Sequence, residues 1–351
     1  MEIKEIVSHF TTYVSAVPYG NGHINDTFLS NRLIIQRINT AVFKDPDILM
    51  ENIVNITDFL RDKIIALGGN PQRDTLNVIK TIDGENLYKA PDGNCYRAYT
   101  FVENSVSYDA VNCELLYKAA KAFGRFQNML VDYPAETLHE TIPYFHDTVK
   151  RFQALVEAID NDVAGRKESV LKEIDFAMQR EKDTHIVVDS IREGSVPLRV
   201  THNDTKLNNV LFDKDTDEIL CVIDLDTVMP GSLLYDFGDA LRFGGASGAE
   251  DEKDLDKIYF ELDKFEAFTK GFVEEVGNKL TKKEIELLPF SVKLLTYECG
   301  IRFLTDYLNG DTYFKTAYAD HNLDRAHTQF KLVYDIEQKL EEMKKIVAKY
   351  I

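Results

Sequence analysis

Short apolar runs separated by polar turns dominate the first hundred residues. Phe28-Leu29 and Leu33-Ile34-Ile35 flank the polar triplet Ser30-Asn31-Arg32, which predicts two strands joined by a turn. Pro46 opens a helical pattern that runs to Leu67 and stops at Gly68-Gly69. Leu76 to Tyr99 reads as three short strands, with Asp83-Gly84 and Asp92-Gly93 as hairpin turns. Beyond Val102 the period lengthens. Cys113 to Leu130 is helical, and a longer, charged helical pattern covers roughly 148–193. A compact strand-like block follows from Leu198 to Asp226, and helical patterns fill 253–277, 282–308 and 322–349. The change of texture near Glu103 predicts an α+β protein of two lobes: a small, mixed, β-rich N-lobe (1–103) and a larger, mainly helical C-lobe (104–351). This order fits neither an all-β class nor a doubly wound parallel sheet.

Composition narrows the function. With 44% apolar and 28% charged residues, the chain is globular rather than disordered. A net charge of −18 repels polyanions, which argues against nucleic acid and anionic membranes as partners. Cys95, Cys113, Cys221 and Cys299 are too widely spaced for a zinc knuckle or a redox pair, and isolated thiols suit a reducing compartment. No signal-peptide pattern or long apolar span is visible, so the expected location is cytoplasmic.

The segment from Val200 to Asp226 carries the chemistry. It reads as a loop, the strand Val210-Leu211-Phe212, a polar turn, the strand Ile219–Ile223, and a second loop. Asp204 and Asn209 precede the hairpin, and Asp224 and Asp226 follow it, so its open end gathers oxygen ligands and a proton acceptor. Phosphoryl transfer to an alcohol needs that set: a carboxylate to take the hydroxyl proton and hard oxygens for Mg²⁺ on a triphosphate. Asp204 is the expected acceptor, Asn209 and Asp224 the metal ligands, and His202 a brace for the loop. The Asp213, Asp215, Asp217 series imitates the start of a calcium loop, but Glu218 replaces the required glycine. His139, Glu140 and His146 do not have zinc-protease spacing.

His202-Asn203-Asp204 through Asn209 is similar to the catalytic loop of aminoglycoside phosphotransferase and choline-kinase-type enzymes, relatives of the protein kinases. Ile223-Asp224-Leu225-Asp226 resembles their metal-binding segment. Tyr235-Asp236-Phe237-Gly238-Asp239 resembles the motif that braces the catalytic loop, and Gly20-Asn21-Gly22-His23-Ile24-Asn25 resembles a phosphate-covering glycine loop. Longer runs, among them Y-G-N-G-H-I-N-D-T-F and E-C-G-I-R-F-L-T-D-Y-L-N-G-D-T-Y-F, resemble the N-acetylhexosamine 1-kinase family.

The resemblance implies a protein-kinase-like fold and ATP-dependent transfer, with Mg²⁺, to the anomeric hydroxyl of N-acetylglucosamine or N-acetylgalactosamine. It implies nucleotide contacts at Gly20, Asn21, Gly22, Gln36 and the lobe link Phe101-Val102-Glu103, and a sugar site of His23, Asp204, Arg302 and Tyr313. A single chain is expected to suffice. Gln36, with Arg37 beside it, stands where protein kinases carry a phosphate-binding lysine. Read without the family, His23 could cap a turn, Arg302 could pair internally with Glu298 or Asp306, and Tyr313 could be a core residue. The rival functions are a kinase for another small alcohol (aminoglycoside, choline, homoserine or methylthioribose) and a non-catalytic, pseudokinase-like binding protein.

Overall fold

The computed structural model describes residues 2–12, 15–20, 25–109 and 111–351. In chain order the elements are α1 (Ile3–Val7), β1 (Val17–Pro18), β2 (Asp26–Ser30), β3 (Leu33–Ile38), α2 (Pro46–Ala66), α3 (Pro71–Asp74), β4 (Val78–Ile79), β5 (Tyr88–Lys89), β6 (Cys95–Thr100), β7 (Ser105–Val106) and α4 (Cys113–Met129). There follow α5 (Thr148–Asn161), α6 (Leu171–Met178), α7 (Asp183–Arg192), β8 (Arg199–Thr201), β9 (Val210–Asp213), β10 (Ile219–Val222), β11 (Met229–Gly231), α8 (Leu233–Gly244), α9 (Leu262–Val276), α10 (Lys282–Leu308) and α11 (His321–Ala348). The class is α+β. The chain divides into two units. The first runs to Asp109 and also takes in Met129–Pro143 and Asn208–Pro230. The second holds α4 up to Asn128, Tyr144–Leu207 and Gly231–Ile351. The β9–β10 hairpin therefore belongs with the first unit, not with the helices that surround it in sequence.

In the first unit, β2 and β3 form the expected hairpin, with Asn31 at φ 54° in its turn. Antiparallel β6 is central: β3 pairs along its whole length, while β4 and β5 pair with its two halves. Asp92-Gly93 closes the β5–β6 hairpin. Asp83-Gly84 is a tight turn, but the strands on either side of it pair with β6 and not with each other, so that hairpin is not formed. Strand alternation gives the sheet two faces. Ile35, Tyr96 and Ala98 pack against Ile6, Val7 and Phe10. The other face carries a polar row in register, Thr27, Gln36 and Arg97. Helix α2 is capped by Asp45, which accepts from the Asp47 and Ile48 N–H groups, and Gly68 ends it at φ +76°.

The second unit is built round α10, whose residues are buried on nearly every side. Thr281 and Glu284 form its capping box. Tyr297, Ile301, Leu304 and Leu308 pack with Phe152, Leu155, Phe330 and Val333 from α5 and α11. The predicted helical stretch 148–193 is three helices rather than one: Asp162, at φ 39°, ends α5, and Gly165 turns the chain at φ +64°. The 253–277 pattern is a short 3₁₀ turn followed by α9. Among the described residues no helix is long and apolar enough to cross a membrane.

Candidate active site

The loop after β8 holds the proposed proton acceptor in a frame of buried hydrogen bonds. Asp236 sits in the first turn of α8, where the helix dipole favours a carboxylate. Its Oδ2 accepts the His202 N–H (3.0 Å) and the Gln127 side-chain amide (2.5 Å), and its Oδ1 accepts the Asn203 N–H (2.7 Å). Burial pushes the Asp236 carboxyl above the ordinary range, against the opposing pull of His202 and the N–H donors. Asp239 accepts the Thr205 N–H (3.2 Å), and the Thr205 hydroxyl donates to the Asp236 carbonyl (2.7 Å). His202 is fully buried, edge-on to Phe123 and Phe126, and its Nδ1 accepts the Asp204 N–H (3.3 Å). These contacts tie His202 into the loop. Asp204 itself is partly exposed, and Lys206 lies 2.8 Å from its Oδ1. Burial disfavours the Lys206 charge, but Asp204 and Asp239 outweigh it and raise the ammonium above its usual range.

Arg302 also lies in this second unit. Glu298, Arg302 and Asp306 are spaced four apart on one face of α10. The Arg302 guanidinium stands 5.5–6.0 Å from the ring centres of Phe145, Phe314 and Tyr313, and 3.8 Å from Glu298. Of the two internal partners open to it, Glu298 is therefore the nearer, and Asp306 is engaged elsewhere. Buried Asp306 accepts the N–H groups of Thr312 (2.9 Å), Tyr313 (2.8 Å) and Phe314 (2.9 Å), together with the Asn322 amide (2.9 Å). That anchorage presents Tyr313 with 61% of its surface exposed, so Tyr313 is not a core residue. Arg151 holds the Phe145 carbonyl, and burial together with the like charge of Arg302 lowers its pKa below the usual arginine range.

The first unit carries the proposed metal ligands. The Ile223 N–H donates to the Asn209 carbonyl (2.9 Å), closing the open end of the β9–β10 hairpin and bringing Asn209 and the Asp224 segment together. Asp224 is exposed, with φ 61°. A carboxylate and an amide oxygen fit Mg²⁺, which completes its shell with phosphate and water rather than with a protein cage. Among the described residues no three His, Cys, Asp or Glu side chains gather as a metal site. The calcium-like aspartates form a turn: Asp213 accepts the Asp215 and Thr216 N–H groups and pairs with Arg73, Asp215 accepts Asn104, and Asp217 accepts the Tyr108 hydroxyl.

Asp226 differs from its neighbour two residues back. It is buried and pairs at 2.5 Å with Arg97, itself 1% exposed, and its Oδ2 accepts the Asn25 amide (2.7 Å). Burial disfavours the Arg97 charge, but Asp226 overrides this and holds it firmly protonated. Arg97 also donates twice to Gln36 Oε1 (2.8 and 3.0 Å), while Gln36 Nε2 donates to Thr27 (3.1 Å). Both ends of the Gln36 amide are thus engaged within the sheet, and the cation on that face is Arg97, which sequence reasoning missed. Arg37 pairs with Asp26 at the surface, and exposed Glu51 pairs with His139. In the link after β6, the Val102 carbonyl accepts Ser105 Oγ, the Glu103 carbonyl accepts Arg73, and Phe101 lies edge-on to Tyr19. Gly20 has φ +74°. Asn21, Gly22 and His23 lie outside the described residues.

The fold is shared with solved kinases of low sequence identity. A microcompartment-associated aminopropanol kinase superposes with TM-score 0.63 at 14% identity, covering 97% of this chain and 98% of its own. An aminoglycoside phosphotransferase from Alicyclobacillus acidocaldarius gives 0.61 at 12% identity, covering 98% and 95%. A choline/ethanolamine kinase family protein from Mesorhizobium loti gives 0.54 at 13%, covering 95% and 94%. The sequence itself matches the model of the phosphotransferase enzyme family over residues 16–268, more than half of the chain, and the chain therefore belongs to that family.

Proposed function

We propose that the chain is an ATP-dependent kinase that phosphorylates the anomeric hydroxyl of an N-acetylhexosamine, giving the α-1-phosphate. The observation that carries the choice of acceptor is Arg302: a part-buried guanidinium, walled by aromatic rings, on the same unit as Asp204. A guanidinium offers only donors, so it suits the carbonyl of an acetamido group and the hydroxyl oxygens of a neutral sugar. Exposed Tyr313 adds an amphipathic wall of the kind sugars stack on.

In this reading Asp204 orients the C1 hydroxyl and takes its proton as the bond to phosphorus forms. An anomeric hydroxyl is more acidic than an ordinary alcohol, which suits a carboxylate acceptor. Asn209 and Asp224 would hold Mg²⁺, which would supply neutralisation of charge on the transferring phosphate. His202 and Asp236 keep the loop in place, so that catalysis is mainly positioning. Free, separate cysteines are consistent with a cytoplasmic site of action.

A second reading, a kinase for a cationic amino alcohol, is favoured by the net charge of −18. The paired positive charges of Arg302 and Arg151 weigh against it. ATP turnover across N-acetylglucosamine, N-acetylgalactosamine, choline, aminopropanol and an aminoglycoside separates the two. Expected is turnover of the N-acetylhexosamines, a product whose phosphorus couples to the anomeric proton, and none with the methyl glycoside of N-acetylglucosamine, which lacks a free anomeric hydroxyl. Brisk turnover of that glycoside, or a 6-phosphate product, would sink the 1-kinase assignment.

A further inference from the structure

We propose that His146 is a positioning residue that locks the peptide between Asn203 and Asp204 and ties it, through Glu298, to the arginine of the acceptor site. The inference rests on the reading of Asp204 as the proton acceptor. His146 is 8% exposed and belongs to neither the catalytic-loop motif nor a metal cluster. Its Nδ1 lies 2.9 Å from Glu298 Oε1, and its Nε2 lies 3.4 Å from the Asn203 carbonyl. Both neighbours are acceptors, so a bond to either is donated by the ring nitrogen that faces it. Phe145 and Tyr235 flank the imidazole and fix its plane.

The peptide that leads into Asp204 is then held at both of its polar atoms. Its N–H is taken by His202 Nδ1 and its carbonyl by His146 Nε2. Asn203 needs this restraint because it is not glycine yet sits at φ 64°, a conformation that persists only where the surroundings determine it. Asp236 fixes the N–H side of Asn203. Rotation of that peptide would re-aim the Asp204 side chain while leaving the rest of the loop in place.

The other end of the chain of contacts is Glu298, 1% exposed, with the Arg302 guanidinium at 3.8 Å and a second oxygen that has no hydrogen-bond partner among the described residues. Burial would raise its carboxyl, but His146, Arg302 and Arg151 together hold it below the ordinary range. One carboxylate therefore sets both the arginine that would grip the acceptor and the histidine that would aim the base.

The test compares His146→Phe in a Glu298→Gln background with Glu298→Gln alone. The amide avoids stranding a buried charge, so folding is preserved. His146→Gln, which keeps one N–H, serves as the conservative variant, and Asp204→Asn as the reference for the catalytic role. Each is assayed with ATP and whichever of N-acetylglucosamine, N-acetylgalactosamine or aminopropanol the wild type turns over. Misplacing a reacting group by about 1 Å costs on the order of 10²-fold. The expected result is a kcat loss of about that size for His146→Phe, a smaller loss of roughly tenfold for His146→Gln, and KM for the acceptor within about threefold. A kcat for the His146→Phe, Glu298→Gln variant equal to that of Glu298→Gln, or a loss confined to KM, overturns the positioning role while an inactive Asp204→Asn leaves the kinase reading intact. An active Asp204→Asn removes both.

Discussion

Asp226→Ala is expected to act on stability before it acts on chemistry. The substitution leaves the Arg97 guanidinium buried without its counter-charge, because both side chains are almost wholly covered and lie 2.5 Å apart. Breaking a buried pair by removing one member costs about 3–5 kcal/mol. Two donor bonds from Arg97 to Gln36 survive, which favours the lower end, while the lost Asn25 bond adds about 1 kcal/mol. A total of about 4 kcal/mol, at roughly 2–4 °C per kcal/mol for a unit of this size, corresponds to a fall in melting temperature of about 10 °C. The chain has no tryptophan, so circular dichroism or tyrosine fluorescence would follow the transition.

The double variant Arg97→Met, Asp226→Leu removes both charges, and such replacements are often neutral or stabilising. It leaves Gln36 Oε1 without its two Arg97 donors, at a cost of about 1–3 kcal/mol, and still lacks the Asn25 bond, so it should recover part of the loss but not all of it. Asp226→Ala within about 1 kcal/mol of wild type would refute the reasoning, since it would mean the pair contributes no more than a surface bridge. Activity of the single variant is informative only well below its lowered transition. An inactive Asp226→Ala at 37 °C therefore says nothing about metal binding.

Asp224→Ala is the complementary case. Its carboxylate is exposed, so thermal stability should stay close to wild type while metal-dependent turnover is lost, as EDTA should also achieve. An active Asp224→Ala would remove it as a ligand. Asp306→Ala frees three consecutive N–H groups of the Tyr313 loop and should raise KM for the acceptor more than KM for ATP; an equal rise in both would contradict a local role. The depressed Glu298 carboxyl sets a pH dependence. Between its folded value and the ordinary value of about 4.3, the unfolded chain binds a proton that the folded chain does not, so stability rises with pH. Its contribution is complete above about pH 5 and is lost as pH falls through the folded value. Glu298→Gln should flatten the acid limb of the stability curve by up to about 1.4 kcal/mol per pH unit, and an unchanged limb would argue against the shift.

What could be read in the sequence, and what could not, follows from the range of the interactions concerned. The ends of α10 were legible, because Thr281 with Glu284 is a local cap and the apolar pattern stops at Leu308. The break at Asp162 was not, because an aspartate in the left-handed region leaves the charged helical pattern undisturbed. Asp83-Gly84 correctly signalled a turn, yet the choice of β6 as partner for both flanking strands is a decision made by the core, through Ala98 and Tyr96 packing beneath α1. The fold class needed only the order of periods, and that order survived these local errors.

The same distinction explains the site. The proposed residues Asp204, Asn209 and Asp224 can be read together because they flank one hairpin, in the loops before and after it. Arg97 is not, because its partner lies far along the chain, and an arginine inside a strand reads as a surface residue until Asp226 is seen against it. His146 is a stronger case: its spacing excludes a metal motif, and its contacts to Glu298 and Asn203 cross most of the second unit in sequence. A buried charge in an apolar pattern shows locally only as an anomaly, as Arg302 did on α10. Its partner must exist, since an unpaired charge at that depth would be too costly, but only the folded chain identifies it. Positive φ adds a second mark. Asn31 and Asp217 occupy such backbone in ordinary turns, whereas Asn203 is 5% exposed and bonded on its N–H side by Asp236. A buried, non-glycine residue in that conformation one step before a carboxylate is a local rule broken beside the proposed proton acceptor, which is the physical ground for proposing that Asp204 has a function rather than a place on the surface.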